Sequence, residues 1–350
     1  MNRHIIVVCD NTMGIPGKEI DDGLALLYLL GRKLLMAEAN EGSSESFDGA
    51  ESAKEACRSS LEIDAICTTH GNSSTEETTY ATKILCDELG LNIPIVRGAD
   101  AGGYHAEGSS HASEAANLLI EAARAARPDN TELAVLSLGA VTDLALAEQL
   151  KPGTLARFDR IALMGGLTEE LRVGGNVMDE LNFASDAPAA LATFAASATW
   201  RTPALIADAI NCLPLTFSAD EFIARLATDD TPTSQLIKRT CVPWFERARQ
   251  EWDTHGFVGW DVLAAVALAA PNMVYLQPYR MNLSLPHLEH GWLAPASNDV
   301  SEIAEAPSSN ASEFADVNLI TIPDPNGLKE HVFKAWEAAL RCTLRLSGCM

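Results

Sequence analysis

Up to residue 207, six short aliphatic runs alternate with segments long enough to be helices. His4–Cys9, Leu61–Thr68, Ile93–Val96, Glu132–Leu138, Asp159–Met164 and Pro203–Ala207 read as buried strands, since each is brief, apolar and closed by polar or glycine residues. Helical segments follow: an apolar one opened by Asp21-Asp22, then Glu76–Leu89, Ser113–Ala126, and a stretch from Gly139 to Leu150. Alternation at this spacing predicts an α/β fold, with an open, mostly parallel central β-sheet flanked by helices. The 350 residues are read as a single domain, 1–350, interrupted by a solvated insertion at 37–60 with six acids, two basic residues and almost no large apolar side chains.

Charge narrows the partners. With 48 Asp and Glu against 25 Lys and Arg, the net charge of −23 offers no field for holding nucleic acid or an anionic membrane. No apolar stretch reaches the roughly 18 residues of a membrane span, and the N-terminal run is too short for a signal-peptide core. The eight cysteines form no C-x-x-C pair, and several lie within apolar runs, which predicts reduced thiols and a cytoplasmic protein. Small neutral or cationic ligands and metal ions stay open.

In an open parallel sheet the ligand sits beyond the carboxyl ends of the strands. Asp10, His70-Gly71-Asn72, Ser137-Leu138-Gly139 and Gly165-Gly166 all fall there, so loops from different strands converge on one crevice. The segment CDNTMGIPGKEIDD adds Asp21 and Asp22 at a helix start. First-turn acids favour the helix dipole and one can act as a cap, but Asp10 has no capping duty. Grouped carboxylates repel unless a cation or proton lies between them, and hard oxygen donors suit Ca²⁺ or Mg²⁺ rather than zinc. Two other readings fail on single residues. A phosphatase-type D-x-D-x-T would place its nucleophile at Val8, and a P-loop would need a hydroxyl after Lys18.

Six motifs, in order, give the chain a family resemblance. VCDNTMGIPGKEIDDGLALLYLL, CTTHGN (67–72), LSLGAVTDLALA (136–147), IALMGG (161–166), GNVMDELNFASDAPAA (175–190) and GWDVLAAVALAAP together resemble the inosine–uridine-preferring nucleoside hydrolases, nearly end to end. The resemblance implies a nucleoside hydrolase-like, Rossmann-type topology and one Ca²⁺ at the bottom of a pocket. Its ligands would be Asp10, Asp22, the backbone carbonyl of Leu138 and Asp261. Asp10 would also be the catalytic base, directing a metal-bound water at the anomeric carbon of an oxocarbenium-like sugar. Asp21, Asn72, Asn176, Glu180 and Asn182 match residues that hold the sugar hydroxyls. Read alone, Glu180, Asn182 and Asp261 also suit helix caps, and Asn72 a turn.

Four departures shape the expectation. Val8 stands where the family has the first Asp of D-x-D, the glycine loop between Asp10 and Asp21 is longer, and the Asn176–Glu180 stretch is shorter. Trp260 stands where uridine-accepting members carry a leaving-group His. A Trp there resembles the purine-specific branch, in which the indole stacks on the base, although it also suits simple packing under the helix. Tyr104, His105, Trp252 and His255 lie in loops that could close over the base, with His255 a possible leaving-group acid. The expected activity is Ca²⁺-dependent hydrolysis of ribonucleosides, purines favoured, by a homo-oligomer. The rivals are a pyrimidine or broad-specificity hydrolase and a catalytically weak riboside-binding relative. A crevice lined by acids should admit a neutral nucleoside and reject a nucleotide's phosphate.

Overall fold

The computed structural model describes residues 2–42, 59–108, 111–228, 231–296 and 313–347. Twelve strands occur among them: β1 (Asn2–Cys9), β2 (Ser60–Thr68), β3 (Ile95–Arg97), β4 (Thr131–Ser137), β5 (Arg160–Met164), β6 (Arg172–Val173), β7 (Asn176–Val177), β8 (Ala204–Ala207), β9 (Thr216–Ser218), β10 (Gly256–Val258), β11 (Tyr275–Asn282) and β12 (Phe314–Thr321). Eight of them build one sheet in the order β11-β12-β8-β5-β4-β1-β2-β3. Every neighbouring pair is parallel except β11 with β12, so the single antiparallel strand is an edge. The predicted strands stand within one or two residues of the observed ones.

Alternation along β1 explains why the sheet is covered on both faces. Ile5, Val7 and Cys9 enter one apolar layer, beneath the Asp21–Gly42, Trp260–Ala269 and Pro325–Ser347 helices. Ile6 and Val8 enter the other, with Leu119, Leu144 and Phe194 from the helices of the opposite face. Val8 is fully buried there, and this layer supplies the physical reason an apolar residue occupies that position. The Asp21–Gly42 and C-terminal helices cross closely at Gly31, where a Cβ would lie 1.7 Å from the Ala335 carbonyl oxygen.

The order of strands reverses between β1 and β4. In a doubly wound sheet the crevice opens at that switch point, outside the carboxyl ends of the two strands. Asp10 follows β1 and Leu138 follows β4, so the topology brings together two residues far apart in sequence.

The expected insertion at 37–60 has different limits. The helix begun at Asp21 continues to Gly42, and β2 begins at Ser60; the rest of the insertion, 43–58, lies outside the described residues. The helix runs on past Met36 because Ala37, Glu38 and Ala39 are exposed residues of high helix propensity, and an exposed helix end needs no large apolar side chain. Asn40 Nδ2 then donates to the Ser59 carbonyl at 2.9 Å, tying this end of the helix to the start of β2. Among the described residues no helix is long and apolar enough to cross a membrane. Cys9, Cys67, Cys86, Cys212 and Cys241 are buried and free.

Candidate active site

Asp10 is 1% exposed at the end of β1. Its Oδ2 accepts a hydrogen bond from the Asn72 backbone N–H, while Oδ1 has no partner. Two glycines make room for this carboxylate. A Cβ on Gly71 would fall 2.2 Å from Oδ2, and one on Gly139 2.6 Å from Oδ1. The CTTHGN and LSLGA motifs therefore carry glycine where the backbone must approach the acid closely.

Asp21 and Asp22 open the long helix after the glycine loop, and Asp261 lies in the first turn of the Trp260–Ala269 helix. Carboxylate oxygens of these three lie within 4.8 Å of one another. Burial pushes the Asp10 carboxyl up to about 7, with the charge of Asp21 adding to it. Burial likewise raises Asp21 to about 6. Asp22 is pushed well up by burial and then by Asp10 and Asp21. For Asp261, burial acts first, and the charges that follow are Asp21, Asp22, Asp10 and Glu19, all acidic.

Such a set is costly unless something positive joins it. Oδ1 of Asp10, Asp21 and Asp22 are buried oxygens without a hydrogen-bond partner, which is the donor chemistry a hard divalent cation takes. The Leu138 carbonyl oxygen accepts from Asn182 Nδ2 at 2.9 Å and keeps a second lone pair. Asp21, Asp22 and Asp261 thus fit a divalent cation, and Asp10 Oδ1 and the Leu138 carbonyl are further oxygen donors of the same kind. Asp21, expected on the sugar, belongs to the three-carboxylate group; Asp10, expected on the metal, is not one of the three, although its charge raises Asp22 and its Oδ1 has no partner.

Above this floor opens a cavity of 780 Å³; of the expected site residues Asp21, Asn72, Leu138, Glu180, Asn182, His255, Trp260 and Asp261 line it, while Asp10 and Asp22 do not. Asn182 Nδ2 also donates to the Met164 carbonyl at 3.0 Å, bridging the ends of β4 and β5. Glu180 is occupied by the backbone: Oε1 accepts from the N–H groups of Gly166, Asn182 and Phe183 at 3.1, 2.9 and 2.9 Å, and Oε2 from Ala184 at 2.7 Å. Asn176 is exposed on the β6–β7 hairpin, where its Nδ2 donates to the Trp252 carbonyl at 3.3 Å. It clasps the hairpin to the end of the Pro232–Trp252 helix and is not among the lining residues. His255 is exposed at the rim. Tyr104 is packed into an apolar layer of the core.

Sequence reading overlooked Glu19 and Trp244, both of which line the cavity. Glu19 lies in the lengthened glycine loop, and Oε2 accepts from Trp244 Nε1 at 2.8 Å. Burial and then Asp21 push the Glu19 carboxyl up to about 7. The one available signal was an acid two residues before the paired Asp, inside a loop longer than the family's; Trp244 had none.

An open, mostly parallel sheet with an acid-floored cavity at its switch point defines the class: an α/β protein with a carboxylate group that could take a divalent cation beside a ligand-sized cavity. The sequence profile described as inosine-uridine preferring nucleoside hydrolase matches residues 52–301, and the chain belongs to this family. That places it among the hydrolases of N-glycosidic bonds. Asp10, Asp21 and Asp22 precede the matched residues. The fold is similar to that of a purine-preferring ribonucleoside hydrolase from Gardnerella vaginalis (TM-score 0.67, 17% identity, covering 97% of this chain and 99% of that one). It is also similar to an inosine-guanosine nucleoside hydrolase (TM-score 0.65, 17% identity, 97% and 98%). A third similar structure is an inosine-uridine preferring nucleoside hydrolase from Bacillus anthracis (TM-score 0.62, 14% identity, 97% and 100%). No curated protein matches the chain.

Proposed function

We propose that this protein is a Ca²⁺-dependent nucleoside N-ribohydrolase that favours purine ribonucleosides. The observation that carries the reading is the buried carboxylate group of Asp21, Asp22 and Asp261 beside Asp10, opening into a cavity with Trp260 on its wall. Bound Ca²⁺ would supply a water of lowered pKa and a fixed point for the ribose diol.

The chain's own residues account for the rest. Asp10 receives the proton at Oδ1, the oxygen that no protein group occupies, while the Asn72 N–H holds Oδ2 and so fixes the direction of the free lone pairs. The nearby carboxylates favour the positive charge that develops on the sugar as the glycosidic bond breaks. Trp260 offers an indole face to the base. The charges that press most on Asp261 are all acidic and disfavour a phosphate at the cavity floor, so a neutral nucleoside is the ligand of choice there, with Arg172 and Lys329 the basic residues among the cavity's lining.

Ribose release from inosine, adenosine, guanosine, uridine and cytidine, with and without chelator, tests the reading. Purine nucleosides are expected to turn over fastest, and only with calcium present. Activity that survives complete calcium removal would sink the cation's role. Equal rates on uridine and inosine would sink the purine preference. Nucleoside binding without ribose release would favour a silent relative, for which the apolar Val8 is the supporting feature.

A further inference from the structure

The loop between Asp10 and Asp21 is fastened to the Pro232–Trp252 helix. Trp244 Nε1 donates to Glu19 Oε2 at 2.8 Å, a bond between residues 225 apart in sequence. Arg247, on the same helix, donates from Nη1 to the Gly17 carbonyl at 3.2 Å. Thr12 Oγ1 donates to the Glu19 carbonyl at 3.0 Å, so backbone and side chain of Glu19 are both held. Trp244 itself is 7% exposed and belongs to an aromatic wall, with Trp252 at 6.2 Å and Phe257 at 6.3 Å between ring centroids. Glu19 lines the cavity where this wall meets the acid floor.

The hydrolysis described above leaves Glu19 without a task. A carboxylate carries about four lone-pair sites, and one indole N–H takes one of them. A base lying against the aromatic wall would present its edge to the remaining sites. Two adjacent parallel N–H donors match a carboxylate's fork best. Among nucleobases, a 2-amino-6-oxopurine has that pair, its ring N–H beside an exocyclic amino group. Hypoxanthine has the ring N–H alone. Adenine and cytosine set a ring acceptor beside their amino group, and uracil flanks its N–H with two carbonyls, so each of these places a lone pair against the acid.

We infer that Glu19 is a specificity-determining residue that accepts hydrogen bonds from the base edge and selects guanine nucleosides over those of hypoxanthine. The inference rests on the nucleoside reading above and adds the identity of the base.

The test is equilibrium binding of free guanine and free hypoxanthine to the full chain, followed by tryptophan fluorescence, for wild type, Glu19→Gln and Glu19→Ala. Melting curves establish that each variant folds. Wild type is expected to bind guanine about tenfold or more tightly than hypoxanthine, the gain expected when a buried polar group finds its partner. In both variants the ratio should fall to about twofold or less, with the guanosine-to-inosine ratio of kcat/KM falling in step. A wild-type ratio near one overturns the inference without any variant, as does a preference that persists in Glu19→Ala. A uniform loss across all nucleosides would place Glu19 on the sugar and also overturn it. If wild type released no ribose from any nucleoside, the proposed activity would fall, yet base binding would still read Glu19. Binding of neither base would overturn the inference.

Discussion

The backbone N–H of Asn72 donates to Oδ2 of Asp10 and thereby joins the loop after β2 to the acid at the end of β1. The bond exists because Gly71 and Gly139 leave no side chain in the way. Gly139 is the more telling position, since its backbone is not left-handed and a substitution is opposed by contact alone.

Gly139→Ala should therefore displace the Asp10 carboxylate while the protein still folds. A Cβ 2.6 Å from Oδ1 and 2.9 Å from Thr69 Cγ2 must move one or both. The expected loss in kcat is about 10²-fold, the order seen when a reacting group is misplaced by an ångström. Ribose-release kinetics check it, and an unchanged kcat would mean that Asp10 does not need its present position.

Calcium should control stability as well as activity. Asp10 and Asp21 bind protons more tightly folded than unfolded, their carboxyls standing near 7 and 6 against an ordinary 3.8. In the metal-free protein their contribution is complete at low pH and drains away as pH rises from about 4 through about 7. A cation that binds only the folded chain opposes this, by about 2.7 kcal/mol at a hundredfold excess over Kd. Thermal melts across pH 5–8, with chelator and with added Ca²⁺, should show the metal-free Tm falling as pH rises and the calcium increment growing. Parallel curves at all pH values would count against a cation among these carboxylates.

The sheet and the acids were legible in the sequence for the same reason. A parallel strand buried on both faces must be a short aliphatic run, and an acid at its end cannot be part of that run. The edge pair β11–β12 escaped because half of β11 (YLQPYRMN) is exposed, only Met281 is buried, and it carries Pro278, which an edge strand tolerates where a central one would not. The Pro232–Trp252 helix was missed too, being polar on average and containing Pro243. Glu19 was therefore unreadable as a site residue, because its partner Trp244 sits on that helix. Asn176 and Glu180 were placed by motif, which cannot tell whether a polar side chain faces a ligand or the backbone.

Glu180→Gln puts that distinction to work. Four backbone N–H groups share the two carboxylate oxygens, and an amide nitrogen can accept none of them. At least one buried donor is left unpaired, at a cost of about 1–3 kcal/mol. Chemical denaturation should show this loss in the absence of any nucleoside. A variant as stable as wild type would shift Glu180 from holding the 165–184 backbone to meeting the ligand.

Asp143 gives a second pH signature, away from the carboxylate group. It is fully buried; its Oδ1 accepts from the Ala99 N–H at 3.0 Å and from Ser113 Oγ, and its Oδ2 has no partner. Burial lifts the carboxyl from 3.8 to about 6, so its contribution to stability is whole below about pH 4 and is lost as pH rises through about 6. Asp143→Asn keeps the acceptor and removes the charge. The variant should exceed wild type by on the order of 2 kcal/mol at pH 8, with the gap opening between about pH 4 and 6 and level above. Urea titrations over that range decide it, and a variant less stable at pH 8 would contradict the assignment.

Trp260 bears on the choice of base. It opens the Trp260–Ala269 helix one residue before Asp261, so the backbone that sets the acid also sets the indole at the cavity wall. Base–aromatic stacking is worth about 1–3 kcal/mol by alanine substitution, which corresponds to roughly 5- to 150-fold. If the indole stacks on the leaving base, Trp260→Ala should lower kcat/KM for inosine by that range, and Trp260→Phe should recover most of it. Uridine presents a smaller ring and should lose less. The comparison separates stacking from packing: a side chain that merely supports the helix would disturb Asp261, lowering inosine and uridine turnover together and weakening calcium binding in the same proportion. A loss confined to purines, with calcium affinity intact, is the result expected of an indole that meets the base.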